Sequence, residues 1–229
     1  NDAPTDVLGA KYVANFKNQL IFAKGSTITF TAPYTDSDFT AANGSGTINV
    51  GATVTGLAVF REQLVIFTER SIFRLVGDTI VNFQLQPITR DIGCLEGDTI
   101  QEIGGDVIFL APDGLRLLSG TERIGDFGLG VISKSIQKNL TSFIATNTSF
   151  SSVVIREKSQ YRLFGFNTNI NEESAQGIIA TQFSAQGGSS VQFGETRGIR
   201  AFVAGGNYNE ETELTFFANN DGFVYKLEN

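Results

Sequence analysis

One phrase recurs along this chain, and it limits the fold more than any other feature. "QLVIFTERSIFRLV" (63–76) has blurred copies in "QLIFAKGSTITF", "DVIFLAPDGLRLL", "SVVIREKSQYRLF" and "ELTFFANNDGFVYKL". The first apolar runs of the five copies end at Phe22, Phe67, Leu110, Ile155 and Phe217, at intervals of 45, 43, 45 and 62 residues. "TERSIFRL" aligns with "REKSQYRL" without a gap. Repetition at this period means that each copy is one supersecondary unit, which buries its apolar faces only against its neighbours.

Each copy reads as strand, tight turn, strand. Pro112, Asp113 and Gly114 suit the later positions of a type I turn; the "NNDG" of 219–222 is similar, and Gly25 serves the first copy. These Asp and Gly residues lack the alternating acid spacing of a calcium loop. Leu64 to Phe67 and Val107 to Leu110 run without a polar break, so both faces of these strands need cover, whereas a strand with one wet face would alternate. Upstream runs ("VTGLAVF", "DTIQEIG") and downstream runs ("TINV", "VNFQLQPI") bring each unit to four strands. Four-stranded units covered on both faces predict an all-β chain, a β-propeller of about five antiparallel blades forming a single domain over 1–229. One short helix is expected at "GVISKSIQKNL", where Val131, Ile132, Ser135, Ile136 and Leu140 share a face. The long last interval is ascribed to a polar loop at 167–176, between third and fourth strands. Phe22, Phe67, Phe73, Phe109, Phe164 and Phe216 are expected in the core, and Tyr161 and Tyr225 on third strands with their hydroxyls reaching sheet edges.

The absence of histidine removes Ser/His/Asp and Cys/His nucleophiles, His-ligated zinc and the usual base near neutral pH. Cys94 is the only cysteine, so an intrachain disulfide is impossible. No apolar run is long enough to span a membrane as a helix. A net charge of −7, with Lys134 and Lys138 as the longest basic cluster, argues against wrapping nucleic acid. The chain starts "NDAPTDV", contains no methionine and stops just after an apolar strand, and it is expected to be a piece of a longer protein.

Ser135 and Lys138 spell S-x-x-K, but the companion motifs of penicillin-recognising enzymes are missing, so a helix surface is expected. "GDFGLG" (125–130) lacks dinucleotide-loop spacing. A glycosidase would need two converging carboxylates, and the candidates are Asp98, Glu102, Asp106, Glu195 and Glu211. N-x-[ST] sequons stand at Asn43, Asn139 and Asn147. The residues assign no catalytic, cofactor or metal site.

The segments "LAVFREQLVIFTERSIFRLVGD", "RDIGCLEGDTIQEIGGDVIFLAPDG", "ETRGIRAFVAGG" and "FFANNDGFVYKLEN" resemble the propeller-bearing tail proteins of tailed bacteriophages, the nozzle of short-tailed phages above all. The likeness spans about residues 10 to 229. It implies a non-enzymatic virion component without cofactors, located in the tail after synthesis in the host cytoplasm. The implied partners are other phage tail proteins and copies of itself in a cyclic ring, with passive contact with passing DNA and no membrane span. The 167–176 loop is the first candidate for a subunit contact. A receptor- or glycan-binding propeller at the virion tip is the alternative, and a polysaccharide-cleaving enzyme a more distant one.

Overall fold

The computed structural model describes residues 7–122, 131–185, 188–209 and 211–227. The opening residues 1–6, the "GDFGLG" segment and the last two residues, for which expectations are given above, lie outside that set. The described residues form 18 strands, all in antiparallel sheets, together with short helices. The chain divides into two compact units, Asn1–Gly97 and Asp98–Asn229.

The first unit holds two four-stranded meanders. One is β1 (Tyr12–Phe16), β2 (Gln19–Lys24), β3 (Thr27–Phe30) and β4 (Gly46–Asn49); the other is β5 (Val54–Phe60), β6 (Gln63–Thr68), β7 (Ile72–Val76) and β8 (Gln84–Thr89). Their shared core contains Ile21, Ile28, Phe30, Leu64, Ile66 and Leu75, all almost fully buried. After its first residue β6 is buried on both faces, as its unbroken apolar run requires. Phe67 is fully buried, whereas Phe73 is half-buried against the core and Phe22 half-buried against Phe39, 6.0 Å between ring centroids.

The second unit holds three sheets. A three-stranded one contains β9 (Gln101–Ile103), β10 (Asp106–Ala111) and β11 (Gly114–Leu117), and is followed by the helical turn α1 (Leu118–Glu122). Helix α2 (Gln137–Thr146) precedes the four strands β12 (Ser149–Ile155), β13 (Gln160–Phe166), β14 (Gln176–Ala185) and β15 (Gly188–Arg197). The last sheet has three strands: β16 (Val203–Asn209), β17 (Thr212–Ala218) and β18 (Val224–Lys226). The core joins Ile108, Leu110 and Leu115 to Leu140 and Phe143 of α2, and to Phe150, Tyr161, Leu163 and Ile178. Burying a side chain such as Phe109 or Phe164 contributes about 1.5–3 kcal/mol each.

Several expectations change here. Two of the five sheets have three strands among the described residues, not four; beside β11 the fourth place is reduced to a single bridge, Arg116 to Val131. That bridge also displaces the expected helix. Val131 and Ile132 are drawn to the sheet edge, with the Ile132 amide donating to the Leu115 carbonyl at 2.9 Å, so a 3-10 turn starts at Lys134 and the α-helix only at Gln137. The fourth repeat is out of phase: its hairpin forms the first and second strands of its sheet, where the other copies supply second and third. The 167–176 loop therefore lies between second and third strands, and the ten-residue β14 and β15 take up much of the remaining length. Tyr161 accordingly stands on a second strand. It is fully buried, and its hydroxyl donates to the Thr99 carbonyl at 2.9 Å. Tyr225 is on a third strand as expected, but exposed. Phe216 is 38% exposed and not core.

The hairpins that open the first three sheets share one turn. Phe16 pairs with Gln19, Phe60 with Gln63 and Ile103 with Asp106, leaving two-residue loops with positive φ at both positions: Lys17 51° and Asn18 58°, Arg61 48° and Glu62 60°, Gly104 60° and Gly105 76°. This is the φ signature of the type I′ turn, whose twist matches that of the strands it joins. Close approach, not φ, accounts for Gly93 in "DIGCLEGD". A Cβ there would stand 2.2 Å from the Glu69 carbonyl, because this connection folds back on the end of β6, where the Cys94 amide donates to the Thr68 carbonyl at 2.9 Å.

Candidate functional site

The carboxylates do not assemble a catalytic pair. Asp106 pairs across the hairpin with Ile103, and Glu102 with Val107; successive residues of a strand face opposite ways, so Glu102 and Asp106 point to opposite faces. Asp106 accepts hydrogen bonds from its neighbour's amide (Val107, 2.8 Å) and from the amide (3.2 Å) and hydroxyl of Ser119. Among the described residues it is the single carboxylate lining a cavity of about 380 Å³ whose walls include Ile103, Ile108, Leu117, Tyr161 and Gln182. Glu195 accepts from the Asn139 amide at 2.8 Å on the far strand β15. Asp98 lies in a 3-10 turn, and Glu211 in the turn before β17. No group of three or more His, Cys, Asp or Glu able to hold a metal occurs among the described residues. Ser135 and Lys138 are exposed on the 3-10 turn and on α2, respectively, as expected of a surface.

The sequons are also engaged locally. Asn43 donates to Asp38 at 2.7 Å and Asn139 to Glu195; Asn147 donates to the Phe143 carbonyl at 2.9 Å with its amide pressed over Gly165, where a Cβ would meet it at 2.3 Å.

What does stand out is the last sheet. Its register sorts the side chains cleanly. Ala204, Phe217 and Tyr225 share one face with Gly206 and Thr215, and this face packs on Val153 and Phe164 of β12 and β13. Val203, Ala218 and Val224 share the other face with Phe216, and that face is uncovered: Val224 is 71% exposed and Val203 45%.

The end of this sheet meets the 167–176 loop. A 3-10 turn at Glu172–Ser174 opens with the Asn171 side chain accepting from the Ser174 amide at 3.1 Å. The loop is tethered at three points: Asn167 donates to the Thr146 carbonyl (2.6 Å), Arg200 to the Thr168 carbonyl (3.4 Å), and Asn219 to Glu172 (3.2 Å). The Arg200 guanidinium lies 4.9 Å from the Phe166 ring, and Phe202 meets that ring edge-on at 5.1 Å. Nearby, Tyr225 stacks on Phe217 at 5.2 Å and donates to Asp221 at 2.6 Å. That bond lowers the Asp221 pKa and raises that of Tyr225, since it favours the charged carboxylate and the protonated phenol. With Phe223 66% exposed and Phe202 53%, the region combines apolar rings with hydrogen-bonding groups on the surface, a composition suited to contact with another molecule. Sequence reasoning pointed to the loop but not to Arg200, Phe202 and Phe223. Their clustering in "RGIRAF" and "NNDGFVY" was the available signal.

No family model matches the chain, and no curated protein matches it. Among solved structures it is similar to one described as the crystal structure of the N-terminal domain of Nup159, at 10% identity and a TM-score of 0.42, covering 94% of this chain and 73% of that one. A likeness of this size supports no statement about function.

Proposed function

We propose that the chain is a β-propeller serving as a rigid, non-enzymatic component of a tailed-phage virion, nozzle-like in type and docking neighbouring subunits around the DNA channel. The observation that carries this reading is the series of five successive antiparallel meanders, in three of which a central strand (β6, β10 and β13) is buried on both faces, in a chain whose "RDIGCLEGD" segment resembles phage tail proteins. Sheets sandwiched in this way hide their faces from water, and radial repetition protects their edges. The partners of this reading are other tail proteins and copies of the chain closing a ring by heterologous contacts, for which the tethered 167–176 loop is the first candidate. A net charge of −7 suits passive contact with DNA, since like charges do not adhere.

The test is to locate the chain in purified virions by mass spectrometry and in a density map of the tail. Presence in the tail, with the sheets set radially about one axis, supports the proposal; absence from particles, or a two-layer sandwich, refutes it. Shortening the 167–176 loop is expected to leave the fold intact and weaken assembly, and normal assembly would remove that assignment.

The exposed rings of Phe202, Phe223 and Tyr225 favour a second reading, a receptor- or glycan-binding propeller at the virion tip. They cluster on one sheet instead of recurring in equivalent loops, which is why this reading stands second. Glycan binding abolished by Phe223→Ala would promote it.

A further inference from the structure

The register of two neighbouring sheets turns a mixed set of side chains toward one space. Ile103, Asp106, Ile108 and Leu117 share a face of β9–β11, and Tyr161, Ala180, Gln182 and Val191 share a face of β13–β15. The cavity of about 380 Å³ lies between these two faces, inside one compact unit and against its core. Ile108, Tyr161 and Ala180 in its wall are buried, while Gly104 in its wall is exposed, so it opens at the turn between β9 and β10.

Two polar groups in this wall are only partly used. Asp106 Oδ1 accepts from the Val107 and Ser119 amides and Oδ2 from the Ser119 hydroxyl. A carboxylate has about four lone-pair sites, which leaves one open on Oδ2. The Gln182 side-chain amide has no hydrogen-bond partner among the described residues, and it lies over Gly104, where a Cβ would meet its Oε1 at 2.5 Å. No lysine or arginine lines the cavity among the described residues, so nothing there balances the Asp106 charge.

We propose that this cavity binds a small amphipathic primary amine, its ammonium group on Asp106 Oδ2 and the Gln182 carbonyl, its apolar chain against Ile103, Ile108, Leu117 and Val191. A half-buried carboxylate with an open lone pair selects a cation, because opposite charge and hydrogen bonding act together where water is scarce. Aliphatic walls select an alkyl body, and the volume is that of a small-ligand pocket. The site does not depend on the virion role.

Hexylamine, 1-hexanol and hexanoate carry three heads on one alkyl chain, and titrating each near neutral pH by calorimetry and amide NMR reads the preference. Hexylamine is expected to saturate one site, to shift the Gly104, Ile108 and Val191 amides, and to bind at least about tenfold tighter than 1-hexanol, with hexanoate not binding. Nα-acetyl-lysinamide, which carries a polar end on the same ammonium, is expected to bind more weakly than hexylamine. Asp106→Asn keeps an acceptor for the two amides and should bring hexylamine down to the level of 1-hexanol. Val191→Phe fills the cavity from a half-buried position and should abolish both, while Asp91→Asn, an exposed carboxylate of the other unit, should change nothing. No saturable hexylamine binding up to about 20 mM overturns the proposal, as does equal binding of the three heads, and neither result depends on a variant that folds. A preference for the amine that survives Asp106→Asn, binding unaffected by Val191→Phe, or an equal loss in Asp91→Asn overturns it too. Blocked lysine that binds as tightly as hexylamine would put a protein side chain in place of the free amine and so overturn the assigned ligand.

Discussion

Replacing Gly93 by alanine puts the close-packed connection between β8 and β9 to a direct test. The added Cβ would lie 2.2 Å from both the carbonyl carbon and oxygen of Glu69, and 2.4 Å from the Arg70 nitrogen, where ordinary contact is 3.4–4 Å. All three atoms are backbone, so no side chain can swing away, and the connection must retreat by more than about 1 Å. Overpacking of this kind costs about 1–3 kcal/mol, and the retreat strains the adjacent Cys94 to Thr68 hydrogen bond, worth about 1 kcal/mol. A total near 3 kcal/mol corresponds to a fall in melting temperature of roughly 6–12 °C for a chain of this length. Gly194→Ala is the matched control: its Cβ would meet nothing within 4 Å and its φ lies outside the left-handed range, so a change within about 0.5 kcal/mol is expected. Calorimetry and urea titration of the two variants beside the parent read the difference. Should Gly93→Ala melt within about 2 °C of the parent, the steric account of this motif glycine is wrong.

Two further outcomes follow from buried or coupled polar groups. Tyr161→Phe deletes a fully buried donor and orphans one bond to the Thr99 carbonyl, so urea unfolding should show a loss of about 1–2 kcal/mol; a neutral result would mean that water replaces the hydroxyl. At alkaline pH, Lys11 and Tyr12 both hold their protons more tightly folded than unfolded. The hydrogen bond to Glu96 raises Lys11, and burial raises Tyr12. Raised folded pKa values give stability that is complete below the ordinary values, 10.5 and 10.0, and is lost as pH climbs above them. Lys11 is largely exposed, so its share stays under about 1 kcal/mol; Glu96→Gln should flatten the fall in melting temperature above pH 10, and an unchanged slope would exclude this pair as its source.

Hairpins were the legible level of this sequence. Turn residues and unbroken apolar runs located β2–β3, β6–β7, β10–β11 and β12–β13, because a hairpin is specified by its own residues. Its place within a sheet is not. "REKSQYRL" resembles "TERSIFRL" whether the hairpin is the first in its sheet or the second, so the phase of the fourth repeat was misread. Burial is likewise a property of the neighbour: Phe67 and Phe216 are both phenylalanines in apolar strand runs, yet the first is fully buried and the second 38% exposed. The opposed directions of Glu102 and Asp106 could have been worked out beforehand, since a two-residue turn and period-two alternation leave no other arrangement. The full aromatic patch could not, because Phe166, the Arg200–Phe202 pair and Tyr225 come from three separate stretches that only tertiary packing brings together.

The opening hairpins hold one more consequence. Lys17, Asn18, Arg61 and Glu62 occupy a conformation that glycine would adopt without steric penalty, as Gly104 and Gly105 do. Placing ionic groups at those bends sacrifices conformational ease for chemistry at the tip, so each corner carries a charge that bare peptide would lack. Exchanging Arg61 and Glu62 for Asn and Gly should yield a hardier molecule with a blanker corner, and whatever recognition is lost in the exchange would identify what the discomfort was kept for.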